Sequence, residues 1–453
     1  MKDSKRTYWL KSGSYTLMER VAVQLFRFGG FYFLVRAFSK KDFGIWALFL
    51  IVSAVIEVAR MGLIQNALIK FLAGTDRDRV KGRINTASLV LNILLTLFVA
   101  VILGLFVLTQ ASLQIDGISK LAELLYWYIF TSISLIPFFQ FNFIQQANFD
   151  FRGIFFSNVI RQGMFFGFVL YGYFGNREWL TLSNLAVFQI ICALVGGLVS
   201  WAFGRKYLIF SARLDRNWFR WLFGYGKYVV GTNIASMFIK SIDQMMLFFL
   251  VSPAAVAIYN TAIKISNLVE VPTQSLAAIV YPKSVRQVET KGQRSLKKLY
   301  EKSVGILLAM IVPMIILVLI FPTEVLWFVA GDKYLDAAPV LRVTMLFGLF
   351  VPFARQFGTM MDAMGHPRVN FMLVMISAVC NLVFNFVFIK VWDMGVMGAA
   401  YATLLTFSIL FVVNQIILYR KLNVKAFRTL FYAQKAYWGG IALVWKRIAT
   451  IAK

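Results

Sequence analysis

Lys240 and Asp243 stand three residues apart in ASMFIKSIDQMMLFF, residues 235–249, a run otherwise made of apolar and small polar side chains. A charge at the centre of a membrane helix costs roughly 2.5 to 3.5 kcal/mol on insertion scales, so such groups face partners, water or cargo. The chain has many of them: Arg27, Glu57, Arg60, Arg161, Lys227, Lys240, Asp243, Lys264, Glu270, Arg342, Arg355 and Asp362. Residues three or four apart share a helix face, so the spacing predicts two local pairs, Glu57 with Arg60 and Lys240 with Asp243. Arg161, Lys227, Lys264, Arg342 and Arg355 have no acid at that spacing. Snorkelling to the headgroups accounts for Lys227 and Arg342, whereas Arg161, Lys264 and Arg355 lie too deep for it. A water-filled cavity with net positive charge is the economical reading. Desolvated guanidinium and ammonium groups bind phosphate or carboxylate and repel cations, so the expected cargo is an anion, and the arginine fork suits a diphosphate or an acidic sugar.

The elements that must carry these groups are membrane helices. Of the 453 residues 60% are hydrophobic, and the composition is too apolar for a surface that faces water. The net charge of +27 would suit a nucleic-acid binder, but here the basic residues are divided among apolar segments of bilayer-spanning length, and nucleic acid is not an expected partner. Twelve spans are predicted, near 17–38, 43–70, 84–109, 120–146, 153–174, 180–203, 221–250, 254–281, 303–321, 337–362, 369–389 and 395–419. Connections on the side of the N-terminus hold eighteen basic residues, the opposite ones five, which places both termini in the cytoplasm. The stretch AYWGGIALVW near the C-terminus is too short for a further span, and a basic amphipathic tail over 422–453 on the inner leaflet is expected. Cys192 and Cys380 lie in apolar runs and read as buried free thiols, and the single histidine, His366, reads as a loop residue. No metal site is expected. Pro137, Pro272, Pro313 and Pro352 interrupt spans, which allows bending.

A shift of 213 positions lays Arg27 on Lys240, Glu57 on Glu270 and Lys70 on Lys283. Two homologous six-helix lobes follow, 1–210 and 211–421, inserted in the same orientation and related by a pseudo-two-fold axis along the membrane normal.

The segments RAFSKKDFGIWALFLIVSAVIEVARMGLIQNALIKFL and YGKYVVGTNIASMFIKSIDQMMLFFLVSPAAVAIYNTAIKISNLVEVPTQSLAAIVYPKSV resemble the polysaccharide-export branch of the multidrug/oligosaccharidyl-lipid/polysaccharide exporter superfamily, the O-antigen and capsule repeat-unit flippases. The resemblance covers the chain as far as Leu422. It implies an all-α polytopic membrane protein, a V-shaped alternating-access transporter that moves undecaprenyl-diphosphate-linked oligosaccharide across the bacterial inner membrane. It also implies that Arg60, Arg161, Lys240, Lys264, Arg342 and Arg355 line a cationic cavity for the substrate. Glu57, Asp243, Glu270 and Asp362 are the candidates for carrying a coupling proton or sodium ion, whose gradient is the energy source in place of a cofactor. The expected partners are the lipid-linked oligosaccharide and the bilayer, with a polysaccharide polymerase and a chain-length regulator as further candidates. Relatives often have fourteen spans, so the short tail departs from the peptidoglycan-precursor flippases. The alternatives are a cation-coupled multidrug exporter, which needs an acid-dominated cavity, a membrane-embedded polymerase or ligase, which needs a larger loop on the far side, and a scaffold without transport. No catalytic residues are expected.

Overall fold

In the computed structural model, the backbone is described for residues 2–73, 75, 77–110 and 117–451, and side chains within it except 2–14, 17, 73, 228, 232, 235, 236, 239, 278 and 439–451. The described residues are helical almost throughout and include no strand. The helices run α1 (Lys2–Ala37), α2 (Lys40–Arg60), α3 (Asn66–Ala73), α4 (Asp78–Thr109), α5 (Ile118–Ala147), α6 (Phe151–Phe174), α7 (Leu182–Gly204), α8 (Arg216–Leu250), α9 (Pro253–Ser266), α10 (Glu270–Lys291), α11 (Leu296–Ile320), α12 (Pro322–Ala330), α13 (Ala338–Phe347), α14 (Val351–Ala363), α15 (Pro367–Phe386), α16 (Gly395–Leu422) and α17 (Ala426–Ile451).

Nine helical segments among the described residues are long and apolar enough to cross a membrane. Three expected spans are not among the nine: those of α1, α8 and the α9–α10 pair. They carry Arg27, Lys240 with Asp243, and Lys264 with Glu270, while Glu57, Arg60, Arg161, Arg342, Arg355 and Asp362 lie in segments that are among the nine.

Helix starts follow local chemistry. The Ser39 hydroxyl accepts the Asp42 N–H at 3.1 Å, and Ser252 does the same for Ala255 at 3.2 Å, ahead of Pro253 in the first turn of α9. Asp150 caps α6 by accepting from the Arg152 N–H at 3.3 Å. The same carboxylate takes the Lys206 ammonium at 2.8 Å and the Tyr207 hydroxyl at 3.1 Å. Burial alone would raise the Asp150 carboxyl, but the hydrogen bond from Lys206 and its charge outweigh this and hold the group below its ordinary value. A carboxyl depressed by folding contributes stability above its unfolded value, and that contribution is lost as pH falls through the folded one. Wild-type protein should therefore lose thermal stability below about pH 4 more steeply than Asp150→Asn, by less than about 1 kcal/mol because Lys206 is solvent-exposed. Thermal unfolding followed across that pH range measures the difference.

The chain divides into two compact units, Met1–Ser241 and Ile242–Lys453, and the division falls inside α8. In the first unit α5 is central and packs on α2, α3, α4 and α7, while α1 packs on α6. Its core gathers Leu63, Leu68 and Leu91 with Leu135, Phe138 and Phe143, and Leu222 of α8. The helix that begins with α2 runs through a π turn at Met61–Gln65 into α3. The first part of α8 lies directly on this turn: a Cβ built on Gly226 would overlap the Leu63 carbonyl, and one on Gly62 would come 3.1 Å from the Val230 backbone.

In the second unit α10 packs on α14, α13 on α9 and α16, α15 on α16, and α17 on α11. The core holds Tyr300, Leu308, Phe357, Met360 and Leu418. The tail is a helix docked on α11: the Lys425 N–H points at Glu301 Oε1 (3.3 Å), and Thr429, Tyr432 and Ala433 lie over Gly305. Phe427, Leu430, Phe431 and Trp438 are exposed. The expected amphipathic tail is a helix from Ala426, while most of AYWGGIALVW, from Gly439 on, lies outside the described side chains. Cys192 is buried, Cys380 partly so, and both are free.

Candidate functional site

Each unit buries charge in its own way. In the first, Arg60 is the last residue of α2 before the π turn, and only 2% of it is exposed. Its Nη2 donates to the Thr96 hydroxyl of α4 at 2.9 Å, and to the hydroxyl and carbonyl of Ser132 of α5 at 2.8 and 3.0 Å. The guanidinium also lies over the Phe139 ring at 5.3 Å. Nε and Nη1 of Arg60 are buried without an acceptor. The predicted Glu57–Arg60 pair is therefore corrected. Arg60 reaches towards α4 and α5, whereas Glu57 Oε1 lies 4.0 Å from Arg161 Nη1 of α6. Helical spacing makes two side chains eligible to meet, but each long side chain here finds a different neighbour.

Arg161 is positioned by packing. Its guanidinium sits 4.7 Å from the centre of the Phe138 ring, and a Cβ on Gly196 of α7 would come within 3.3 Å of its own Cβ. Arg27 of α1 is in electrostatic range of Arg161, Glu57 and Glu19. Arg27, Arg60 and Arg161 are each in electrostatic range of Glu57, so three guanidiniums share one carboxylate here. Tyr128 of α5 lies in range of Glu57, Arg60 and Arg161, and its hydroxyl donates to the Ser53 carbonyl at 3.2 Å.

The second unit holds the opposite arrangement. Asp243 is buried, and its carboxylate accepts from the Tyr259 hydroxyl at 2.6 Å, the Asn385 amide at 2.6 Å and the Thr403 hydroxyl at 2.8 Å. These partners come from α9, α15 and α16. Asn381 extends the cage, donating to Thr403 at 3.2 Å, and Gln244 and Asn260 meet beside it at 2.5 Å. The predicted Lys240–Asp243 pair is also corrected: all three partners of Asp243 are neutral, and Lys240 is exposed. Burial penalises this charge and the three donated hydrogen bonds offset part of the penalty, so a proton or a cation added here would relieve the rest. Asn385 Oδ1 is buried without a donor, which adds a free acceptor at the same spot. One carboxylate among neutral oxygens suits a proton or a monovalent ion better than a site for zinc or calcium, which would need several anionic or imidazole ligands. Among the described residues no group of three or more His, Cys, Asp or Glu is placed to hold a metal ion.

The remaining predicted residues lie in the second unit. Lys264 of α9, Arg342 of α13, and Arg355 and Asp362 of α14 are exposed, and Glu270 of α10 is half-buried, accepting from Gln274 at 2.9 Å. The cage residues Tyr259, Asn381, Asn385 and Thr403 went unpredicted. A signal was present: Asn381 and Asn385 stand four apart in the apolar run AVCNLVFNF, on one helix face. Uncharged polar residues in a span are common enough that this spacing alone does not single them out.

Helices that bury guanidiniums in one unit and a lone carboxylate in the other define a polytopic membrane protein built around intramembrane charge. Solved structures share the fold: the lipid II flippase MurJ in an inward closed conformation has a TM-score of 0.73 at 13% identity, covering 93% of this chain and 91% of that one. A multidrug resistance MATE family transporter in an inward-facing conformation gives 0.72 at 15% identity, covering 87% and 94%. The family model described as polysaccharide biosynthesis protein matches residues 33–339, and the chain belongs to that family, in line with the resemblance of its sequence to the polysaccharide-export branch. An uncharacterized membrane protein of Methanocaldococcus jannaschii is 28% identical over 229 residues, 49% of this chain and 44% of its own length. The probable low-salt glycan biosynthesis flippase of Haloferax volcanii is 25% identical over 239 residues, 52% of this chain and 50% of its own. The chain thus spans about half the length of the curated relatives it matches, and both are archaeal.

Proposed function

We propose that the protein is a flippase that carries a polyprenyl-diphosphate-linked oligosaccharide between leaflets by ion-coupled alternating access. The observation that carries this reading is the excess of guanidinium over carboxylate around Arg161, inside the first unit. A membrane-embedded arginine stacked on an aromatic ring and only loosely matched by Glu57 is suited to a phosphorylated headgroup. The membership in the polysaccharide biosynthesis family and the likeness to a probable glycan biosynthesis flippase support the same cargo. In a bacterial host the carrier is undecaprenyl diphosphate, the location is the inner membrane, and both termini are cytoplasmic. Asp243 in its neutral cage carries the coupling proton or sodium ion.

The reading is tested in a strain that lacks its own repeat-unit flippase and makes a matched repeat unit. Expression of this chain should restore surface glycan, and Arg161→Met should reduce it by at least tenfold, as expected when an anion loses a charged hydrogen-bond partner. No restoration with any matched pathway removes the flippase reading. A second reading, a cation-coupled multidrug exporter, is favoured by the fold shared with a multidrug transporter and by the lone carboxylate of the second unit. Overexpression would then lower drug susceptibility, an effect the flippase reading does not produce.

A further inference from the structure

The two basic side chains flanking Glu57 in the first unit are held in different ways. Arg60 is enclosed and anchored through Nη2 to Thr96 and Ser132. Arg161 keeps 14% of its side chain exposed, and Glu57 keeps 24%. Their closest approach is 4.0 Å, within Coulomb range but well beyond the roughly 2.7–2.9 Å of a charge-assisted hydrogen bond. Arg161 Nε is buried and has no acceptor. A guanidinium offers a fork of parallel N–H groups, and Glu57 brings one oxygen near one of them, so most of the fork is unused.

An unmatched guanidinium inside a membrane protein is costly, and a tight bidentate pair would be hard to open. The loose pair lies between these limits. We propose that Glu57 is a placeholder anion: it neutralises Arg161 while the site is empty and is displaced when a diphosphate docks on the free edge of that guanidinium. Once displaced, Glu57 still has Arg27 and Arg60 in electrostatic range, so its charge is not stranded. The exchange also selects cargo, because a neutral or cationic headgroup has nothing with which to replace the carboxylate. The identity of the anion rests on the flippase reading; the role of Glu57 as a competitor for Arg161 rests on the geometry.

The test uses the full chain in nanodiscs, with inorganic pyrophosphate and farnesyl diphosphate as probes and calorimetric Kd as the readout. Glu57→Gln keeps the side-chain shape and removes the competing charge, so it should bind both probes about two- to fivefold more tightly than wild type, the size of a partly exposed ion pair. The gain should vanish in Glu57→Gln/Arg161→Gln. If Glu57→Gln does not fold, Glu57→Asp, which withdraws the carboxylate by one methylene, should show a smaller gain of the same sign. Wild type that binds the probes, with either variant binding equally or more weakly, overturns the placeholder role and leaves the flippase reading standing. Wild type and variants that all fail to bind either probe overturn both.

Discussion

Asp243→Asn should leave the protein folded and inserted, with a melting temperature equal to or slightly above that of wild type, and should lower gradient-driven transport at least a hundredfold. The stability half follows from the cage. An asparagine oxygen can still accept from Tyr259 and Thr403, which lie 2.6 and 2.8 Å from the carboxylate, its NH2 can donate to the otherwise unpaired Asn385 Oδ1 once that amide turns over, and the substitution removes a charge buried without an ionic partner. The transport half follows from the proposed coupling role: an amide neither takes up a proton nor attracts a cation, so the variant would lose that role while the walls of the cage remain. Proteoliposomes with an imposed pH or sodium gradient and a fluorescent lipid-linked oligosaccharide give the flux, and differential scanning fluorimetry gives the melting temperature. The same preparation identifies the ion. A sodium-specific rise in wild-type melting temperature, absent with potassium and absent in Asp243→Asn, marks a sodium site, and its absence leaves the proton. Unchanged gradient-driven flux in the variant rules Asp243 out as the carrier.

The second large effect is structural. Gly226→Ala should cost about 3 kcal/mol or more and lead to aggregated protein, while Gly231→Ala, five residues further along the same helix, should have little effect. A Cβ at Gly226 would run into the carbonyl carbon and Cα of Leu63 in the π turn, and these are backbone atoms held by the turn itself. Overpacking costs typically 1–3 kcal/mol where side chains can shift, and more where the obstacle cannot move. A Cβ at Gly231 meets nothing within 4 Å. Size-exclusion profiles and melting temperatures of the two variants, purified side by side, make the comparison. Equal behaviour would mean that α8 is not seated on the π turn.

Helix α8 contributes Leu222 to the core of the first unit and Asp243 to the cage of the second, so one continuous element carries parts of both. Its register along the first unit is set at Gly226 and Gly62, the two places where backbones come closest.

Much of the architecture was legible in the residues alone. Apolar segments of spanning length, separated by basic connections, determine a polytopic helical membrane protein, because a bilayer admits few other ways to satisfy backbone hydrogen bonds. The charges inside those segments were legible as well, since no packing argument hides an arginine in FFSNVIRQGMFF. What each charge touches was not. Glu57 and Arg60 share a face by spacing, but Thr96 and Ser132 hold the guanidinium while the carboxylate leans towards Arg161. Lys240 and Asp243 share a face too, but Tyr259, Asn385 and Thr403 surround the acid. Spacing along one helix determines which side chains are able to meet. Only the packing of several helices decides which hydroxyls, amides and rings compete for them, and in a medium of low polarity the nearest competitor wins.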